Sequence, residues 1–302
     1  MIARLGQRVV VMMVMMSHVQ LGKGSQSRSS GYHVPSLAKK IPVMLLDWWR
    51  RRRLRRILAH SPLTDALWRR LRRELPLLHG LTAAEAVRLR ELSTLFLHEK
   101  RFTAVQGLAL DDHKRAMIAA QACLLILGLD FDRFDGWVEI VVYPTGFKVT
   151  RQVVDEAGVV HEEEAPLIGE AWERGPVILA WTDVERDSLH LHEGRHVVIH
   201  EFAHKLDALN GRANGMPPLH PEMSIEAWSE ALSSAYQRLV RQVEQGHHCI
   251  NPYAATNPAE FFAVVSEYFF TAPHRLRHLC PEVYDQLRAW YRQDPRTRID
   301  RR

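Results

Sequence analysis

The chain has 302 residues, of which 46% are hydrophobic and 25% are charged, so it is long enough for a substantial core and has a globular composition. Its formal charge of +5 is unevenly placed, because ten arginines fall between residues 50 and 73 and the rest of the chain is net acidic. The three cysteines are far apart and form no CxxC pair, so the sequence supports neither a cysteine-bound zinc site nor a disulfide framework and favours a reducing, cytoplasmic location.

Residues 1–45 are predicted to be a disordered extension. A basic start and an eight-residue apolar run at 9–16 are similar to an export signal, but the run is too short to span a bilayer and no clear cleavage site follows it. Residues 17–36 are polar and contain several glycines and serines, a composition typical of disorder. No apolar stretch of 18 residues occurs elsewhere, so the sequence predicts no transmembrane segment.

Residues 46–60 form an arginine-rich segment that contains Trp48, Trp49 and six arginines. This pattern is typical of a basic amphipathic helix, which could bind an anionic membrane surface or a nucleic acid. The alternative is a solvated arm whose tryptophans dock on the core. The chain contains no recognised nucleic-acid motif, so we favour the docked arm.

Two helices are predicted in the first half of the remaining chain, residues 61–296. Thr82 and Glu85 have the spacing of a capping box and predict a helix start. A second helix is expected over residues 111–128. Its inner face is predicted to consist of Ala116, Ala119, Ala120, Cys123, Leu124 and Leu127.

Strands are predicted in the middle of the chain. Residues 137–143 are rich in β-branched and aromatic side chains, and residues 147–154 are expected to pair with them. Residues 176–181 form a further predicted strand, whose edge could pair with an extended peptide. Helices are predicted again from about residue 194 to the end. The order of elements indicates an α+β fold with a small mixed sheet between mostly helical N- and C-terminal parts.

The segment HEFAH at residues 200–204 is a candidate metal site. Positions i and i+4 of a helix lie on one face, so His200 and His204 can present two imidazoles to one zinc ion. Glu201 flanks that position, where a general base would take a proton from the attacking water. Asn210 and Gly211 predict the end of the helix.

A chance match on a surface helix is the alternative interpretation of this motif. The predicted helix has an extended apolar face, which indicates burial, and buried histidines and carboxylates need partners. We therefore favour the metal site. The apolar face comprises Val197, Ile199, Phe202, Leu206 and Leu209.

A catalytic zinc ion needs a third protein ligand. Glu260 is a candidate, although Asn257 and Pro258 begin a helix there and Glu260 could instead close a capping box. Glu267, two turns further along the same helix face, is a rival. Asp207 could orient one of the imidazoles or be a surface charge on the last turn.

These motifs together resemble a known family. The sequence HEFAHKLD at 200–207, followed by Tyr253 and then by NPAEFFA at 257–263, is similar to the zinc site of the anthrax lethal factor protease domain. It resembles more closely the Mlc titration factor A family of bacterial zinc-dependent peptidases. The similarity extends over about residues 60–296, and the arginine-rich segment before it has no recognised counterpart.

The resemblance implies a zincin-like fold and a role for each matching residue. His200, His204 and Glu260 would be zinc ligands, and Glu201 would be the general base. Tyr253 would stabilise the oxyanion. His161 resembles a histidine that can occupy the fourth zinc position; from its local sequence it could equally be a solvent-facing loop residue.

The resemblance also implies a function: hydrolysis of peptides, with aminopeptidase-type substrates preferred. The family is linked to binding the transcriptional repressor Mlc and so to control of the glucose phosphotransferase system. An alternative is therefore a non-catalytic protein that titrates the repressor and in which zinc is structural or latent.

Overall fold

The computed structural model describes Ile57, residues 63–145 and 175–301, and the backbone of residues 149–154 and 160–165. The predictions for residues 1–45, and nearly all of those for the arginine-rich segment 46–60, lie outside these residues. Within the described part of the chain, no helix has the length and apolar character needed to cross a membrane.

Three α-helices lie between residues 65 and 125: α1 (Asp65–Glu74), α2 (Ala83–Glu99) and α3 (Asp112–Leu125). The predicted capping box begins α2, where the Thr82 hydroxyl accepts from the Glu85 N–H at 3.2 Å and the Glu85 carboxylate accepts from the Thr82 N–H at 2.8 Å. Helix α3 lies within its predicted range. The six residues predicted for its inner face are all buried.

The sheet has three strands, but one of them and the strand directions differ from the prediction. Its strands are β1 (Arg101–Ala104), β2 (Glu139–Tyr143) and β5 (Val177–Ala180), in the order β1-β2-β5 and all parallel. Two further strands, β3 (Val149–Val154) and β4 (Val160–Ala165), form a separate antiparallel pair. The prediction that residues 147–154 pair with β2 is wrong, because β1 and β5 occupy both edges of β2. The three-stranded sheet is therefore parallel and not mixed.

The second half of the chain is helical, as predicted, and the class is α+β. The strand predicted at 176–181 ends one residue early, because Trp181 already begins a helix. The helices are α4 (Trp181–Leu189), α5 (Val197–Asp207), α6 (Ile225–Glu244), α7 (Pro258–Thr271), α8 (Pro273–Leu279), α9 (Pro281–Tyr291) and α10 (Arg296–Ile299).

An aromatic cluster anchors α5 in the core. The Phe202 ring lies 5.6 Å from Phe96, 5.5 Å from Phe134 and 5.7 Å from Trp137, measured between ring centroids. These distances suit tilted and edge-to-face aromatic pairs. Phe202 is fully buried, so this face of α5 cannot turn outward. The orientation of the two histidines on the same helix is thereby restricted.

Replacing Phe202 with alanine is expected to lower the free energy of unfolding by about 3–5 kcal/mol, the usual cost of a phenylalanine-sized cavity in a core. Urea unfolding followed by circular dichroism would measure the change. Val87→Ala on α2 is the control, because the Val87 side chain is 61% exposed. Equal effects of the two substitutions would contradict the packing of Phe202 in the aromatic cluster.

Candidate metal centre

Helix α5 has well-defined ends. At its start, Nδ1 of His196 accepts from the Ile199 N–H at 3.5 Å, and the buried carboxylate of Asp187 accepts from the Val197 N–H at 3.1 Å. These contacts satisfy amides that have no partner within the helix. At its end a short turn leads to Gly211, whose φ of 130° suits glycine, as predicted.

Helix α7 brings a glutamate to the histidine face of α5. Asn257 caps α7 by accepting from the Glu260 N–H at 2.9 Å, and Pro258 occupies the first helical position. The Glu260 side chain does not return to the cap. Its carboxylate faces His200 and His204, so the capping-box interpretation of Glu260 is wrong.

Three potential ligand atoms converge between the two helices. Nε2 of His200 lies 3.2 Å from Nε2 of His204, and Oε2 of Glu260 lies 3.1 Å and 3.4 Å from these two nitrogens. Tetrahedral coordination with bonds of about 2.0–2.1 Å separates ligand atoms by about 3.3–3.4 Å. Oε2 of Glu260 is buried and has no well-formed hydrogen bond within the described structure. The residues present therefore fit one metal ion.

This is the only group of three or more histidines, cysteines or carboxylates in the described residues that could hold a metal ion. Glu267, the rival glutamate, lies on the opposite side of His200. Its Oε1 is 2.8 Å from Nδ1 of His200, and its Oε2 accepts from the His196 N–H. The structure thus groups Glu260, and not Glu267, with the two histidines.

The electrostatics of the cluster favour a positive charge at its centre. Burial alone would raise the pKa of Glu260, but the adjacent His200 and His204 lower it to about 2. Burial alone would lower the pKa of His200, but Glu260 and Glu267 raise it well above its usual value. Without a metal ion, the two glutamates therefore favour the protonated, positively charged form of His200.

The two predicted catalytic side chains lie beside the cluster. Glu201 is half-buried and directly follows His200 on α5. Tyr253 lies in a short turn, Pro252–Ala255, with its ring centroid 6.0 Å from that of His200. Burial, together with the charge of Glu260 and a hydrogen bond to it, raises the pKa of Tyr253. Its phenol therefore remains protonated and can donate a hydrogen bond.

Asp207 is not a surface charge, because it is completely buried. Its Oδ2 accepts from the Gly215 N–H at 2.7 Å, whereas its Oδ1 has no hydrogen-bond partner in the described part of the chain. Burial raises the pKa of Asp207 to about 6, and the Gly215 N–H and His204 oppose that rise. Asp207 holds a loop in which Gly215 lies close to the first turn of α7. If residue 215 had a side chain, its Cβ would lie only 2.6 Å from the Pro258 carbonyl oxygen, so this close approach requires glycine.

Three further residues bear on the site: His161, which was a predicted candidate, and Asp187 and His196, which were not predicted. The backbone of His161 lies in β4 opposite Val153, but its side chain is outside the described residues. Asp187 and His196, which hold the start of α5, were not predicted. No motif or spacing links Asp187 to α5, and a histidine is not a typical helix cap.

A buried helix with two histidines one turn apart, met by a glutamate from a second helix, is the arrangement of a metallopeptidase. The comparison with protein families gives the same class. The chain belongs to the glucose-regulated metallo-peptidase M90 family, whose model matches residues 46–292. The arginine-rich segment 46–60 is part of this match, so the expectation that it has no counterpart is wrong.

Similar proteins share most of this chain. It is 41% identical over 229 residues to the Mlc titration factor A of Salmonella arizonae, covering 74% of this chain and 90% of that protein. It is 40% identical over 242 residues to that of Salmonella schwarzengrund, covering 79% and 88%. The corresponding protein of Salmonella typhimurium is 41% identical over 229 residues, covering 74% and 85%. The predicted family resemblance is confirmed.

Proposed function

We propose that this protein is a zinc-dependent metallopeptidase with a zincin-like domain over residues 61–296. The observation that carries the proposal is the convergence of Nε2 of His200, Nε2 of His204 and Oε2 of Glu260 within 3.1–3.4 Å of one another. Glu201 lies next to this cluster on the same helix. The resemblance to the family suggests aminopeptidase-type substrates.

His200, His204 and Glu260 are the proposed zinc ligands. Two imidazoles and a carboxylate are a usual ligand set for catalytic zinc, which keeps one position open. A bound zinc ion would supply Lewis acidity and lower the pKa of water to about 7.

Glu201 and Tyr253 are the proposed catalytic side chains. Glu201 takes the proton from the attacking water and passes it to the departing amine, which needs a proton to leave. The Tyr253 phenol, kept protonated by its raised pKa, donates a hydrogen bond to the oxygen on which negative charge develops.

Tyr253→Phe is expected to lower kcat by about 10²–10³-fold with a small effect on KM, because the phenol acts only as charge develops in the transition state. Steady-state hydrolysis of a chromogenic peptide would measure both constants. Tyr236→Phe is the control, since that phenol donates to the Ala255 carbonyl at 3.2 Å, outside the cluster. A rise in KM with unchanged kcat would contradict this role.

The substrate backbone is proposed to pair with β5. This strand is last in the order β1-β2-β5, so one of its edges has no partner strand among the described residues. Extended peptides commonly bind by adding a strand to such an edge. Lys205 links α5 to β5, because its ammonium donates a hydrogen bond to the carbonyl of Gly175, just before β5, at 2.8 Å.

A second candidate function follows from the names of the relatives, which are Mlc titration factors. Binding of an Mlc-like repressor, with control of the glucose phosphotransferase system, is proposed as a partner function. The cytoplasm is the proposed location of both functions, since Cys123, Cys249 and Cys280 are all free cysteines. Loss of repressor binding on zinc removal, without any peptide cleavage, would favour titration as the main function.

The first experiment combines metal analysis with hydrolysis of a panel of amino-acid and peptide anilides. One zinc ion per chain and cleavage that stops on chelation and returns with zinc would support the peptidase. One zinc ion with no cleavage of any anilide would favour the repressor-binding function. A protein that binds no zinc would refute the central proposal.

A further inference from the structure

Glu267 is buried on α7 and contacts the polar groups of two histidines, His196 and His200. It is 5% exposed. Its Oε1 is 2.8 Å from Nδ1 of His200, and its Oε2 accepts from the backbone N–H of His196. The two contacts join α7 to two different parts of α5: the residue that caps the helix and a side chain one turn further on.

The chemistry of a carboxylate determines the direction of these hydrogen bonds. An ionised carboxylate only accepts, and an amide N–H only donates, so Oε2 is committed to His196. Oε1 is then available as an acceptor, which requires a hydrogen on Nδ1 of His200. A neutral imidazole carries one hydrogen, so Nε2 of His200 keeps its lone pair. Nε2 is also the atom that faces His204 and Glu260.

We propose that Glu267 is a positioning residue that fixes the tautomer and the ring orientation of His200 and thereby sets the affinity for the metal ion. The inference rests on the proposed function, because it takes His200 as a ligand. Glu267 itself does not bind the ion. Carboxylates that accept from a metal-bound histidine typically contribute about 10–100-fold to metal affinity.

The contact with His196 limits which side chains can replace Glu267 without loss of its hydrogen bonds. His196 is buried and is also held at its ring, where Nε2 lies 2.7 Å from Oε1 of Gln121. Neither His196 nor α5 can therefore move easily to suit a changed partner. Glu267→Gln has nearly the same shape but offers only one acceptor oxygen. If that oxygen stays on His196, the amide NH2 faces Nδ1 of His200 and favours the tautomer with hydrogen on Nε2.

Glu267→Gln is therefore expected to weaken zinc binding by about 10–100-fold. Ser266→Ala is the matched control. Ser266 is the preceding residue on α7 and is fully buried; it donates to the Phe262 carbonyl at 2.8 Å and accepts from the Tyr291 hydroxyl at 2.9 Å. Its removal costs buried hydrogen bonds on the same helix without touching the histidines, so zinc affinity should stay within about 3-fold of the wild type.

Zinc affinity would be measured by competition with a chromogenic chelator for the full-length wild type, Glu267→Gln and Ser266→Ala. Affinity lost only in Glu267→Gln is the expected result. Equal affinities of the two variants would overturn the inference while leaving the proposed function intact. Failure of the wild type to bind zinc would instead refute the proposed function.

A second measurement needs no variant. Nitrogen-15 NMR of the histidines in the zinc-loaded wild type would show which ring nitrogen of His200 carries hydrogen. A slowly exchanging proton on Nδ1, with Nε2 bound to the metal, is the expected signature. A hydrogen on Nε2 of His200 would overturn the inference, whatever the folding of Glu267→Gln.

Discussion

Glu201→Gln is expected to lower the rate of peptide hydrolysis by about 10²–10⁴-fold while zinc remains bound. This is the range that general acid–base catalysis usually contributes. The amide of glutamine has nearly the same shape as the carboxylate but cannot take a proton from water at neutral pH. The three residues that converge on the metal position, His200, His204 and Glu260, are unchanged by the substitution. Catalysis and metal binding should therefore separate.

The measurement pairs zinc content with kcat/KM on the anilide that the wild type cleaves best. Glu230→Gln on α6 is the control, because Glu230 is an exposed glutamate and the change removes the same charge. Its activity should match that of the wild type. Full activity in Glu201→Gln would show that another group takes the proton. Loss of zinc from Glu201→Gln would show that Glu201 helps to hold the ion.

Glu260→Ala is expected to weaken zinc binding by more than about 100-fold, beyond the effect of losing a residue that only supports a ligand. The substitution leaves two imidazoles and removes the only carboxylate oxygen of the described residues that lies within 3.4 Å of both Nε2 atoms. It also removes the group that, with Glu267, favours a cation at this position. Hydrolysis should fall with the loss of zinc.

Asn257→Ala separates the effect of the ligand from that of the helix start. Asn257 accepts from the Glu260 N–H at 2.9 Å, so its loss should cost about 1 kcal/mol of stability and leave zinc affinity nearly unchanged. Equal zinc affinities of Glu260→Ala and Asn257→Ala would mean that Glu260 is not a ligand. If Glu267→Ala alone abolished zinc binding, Glu267 would be the ligand in its place.

The two predictions address different steps. Glu260→Ala tests whether the metal ion is held where the three atoms converge, and chelator competition measures it without any substrate. Glu201→Gln tests whether that ion serves hydrolysis. A protein that confirms the first prediction but shows no hydrolysis in any form would retain a metal centre, and its function would then be better described by repressor binding.

Local patterns in the sequence determined much of the candidate site. The i, i+4 spacing of His200 and His204 follows from helix geometry, so both imidazoles were predicted to share one face. The capping box at Thr82 and the cap at Asn257 are likewise contacts within one turn. In each case the interacting residues are close in sequence, and the geometry of the helix alone brings them together.

Tertiary structure alone decided the partners across elements. Glu260 and Glu267 lie on one face of α7 at helical spacing, and no local rule predicts which of them faces both His200 and His204. The packing of α7 against α5 makes the choice, placing Glu267 beside Nδ1 of His200 across 67 positions of sequence. The same holds for the burial of Asp207 and for the pairing of β2 with β1 and β5. Such contacts depend on how helices and strands pack against one another. The periodicity within one segment carries no information about that packing.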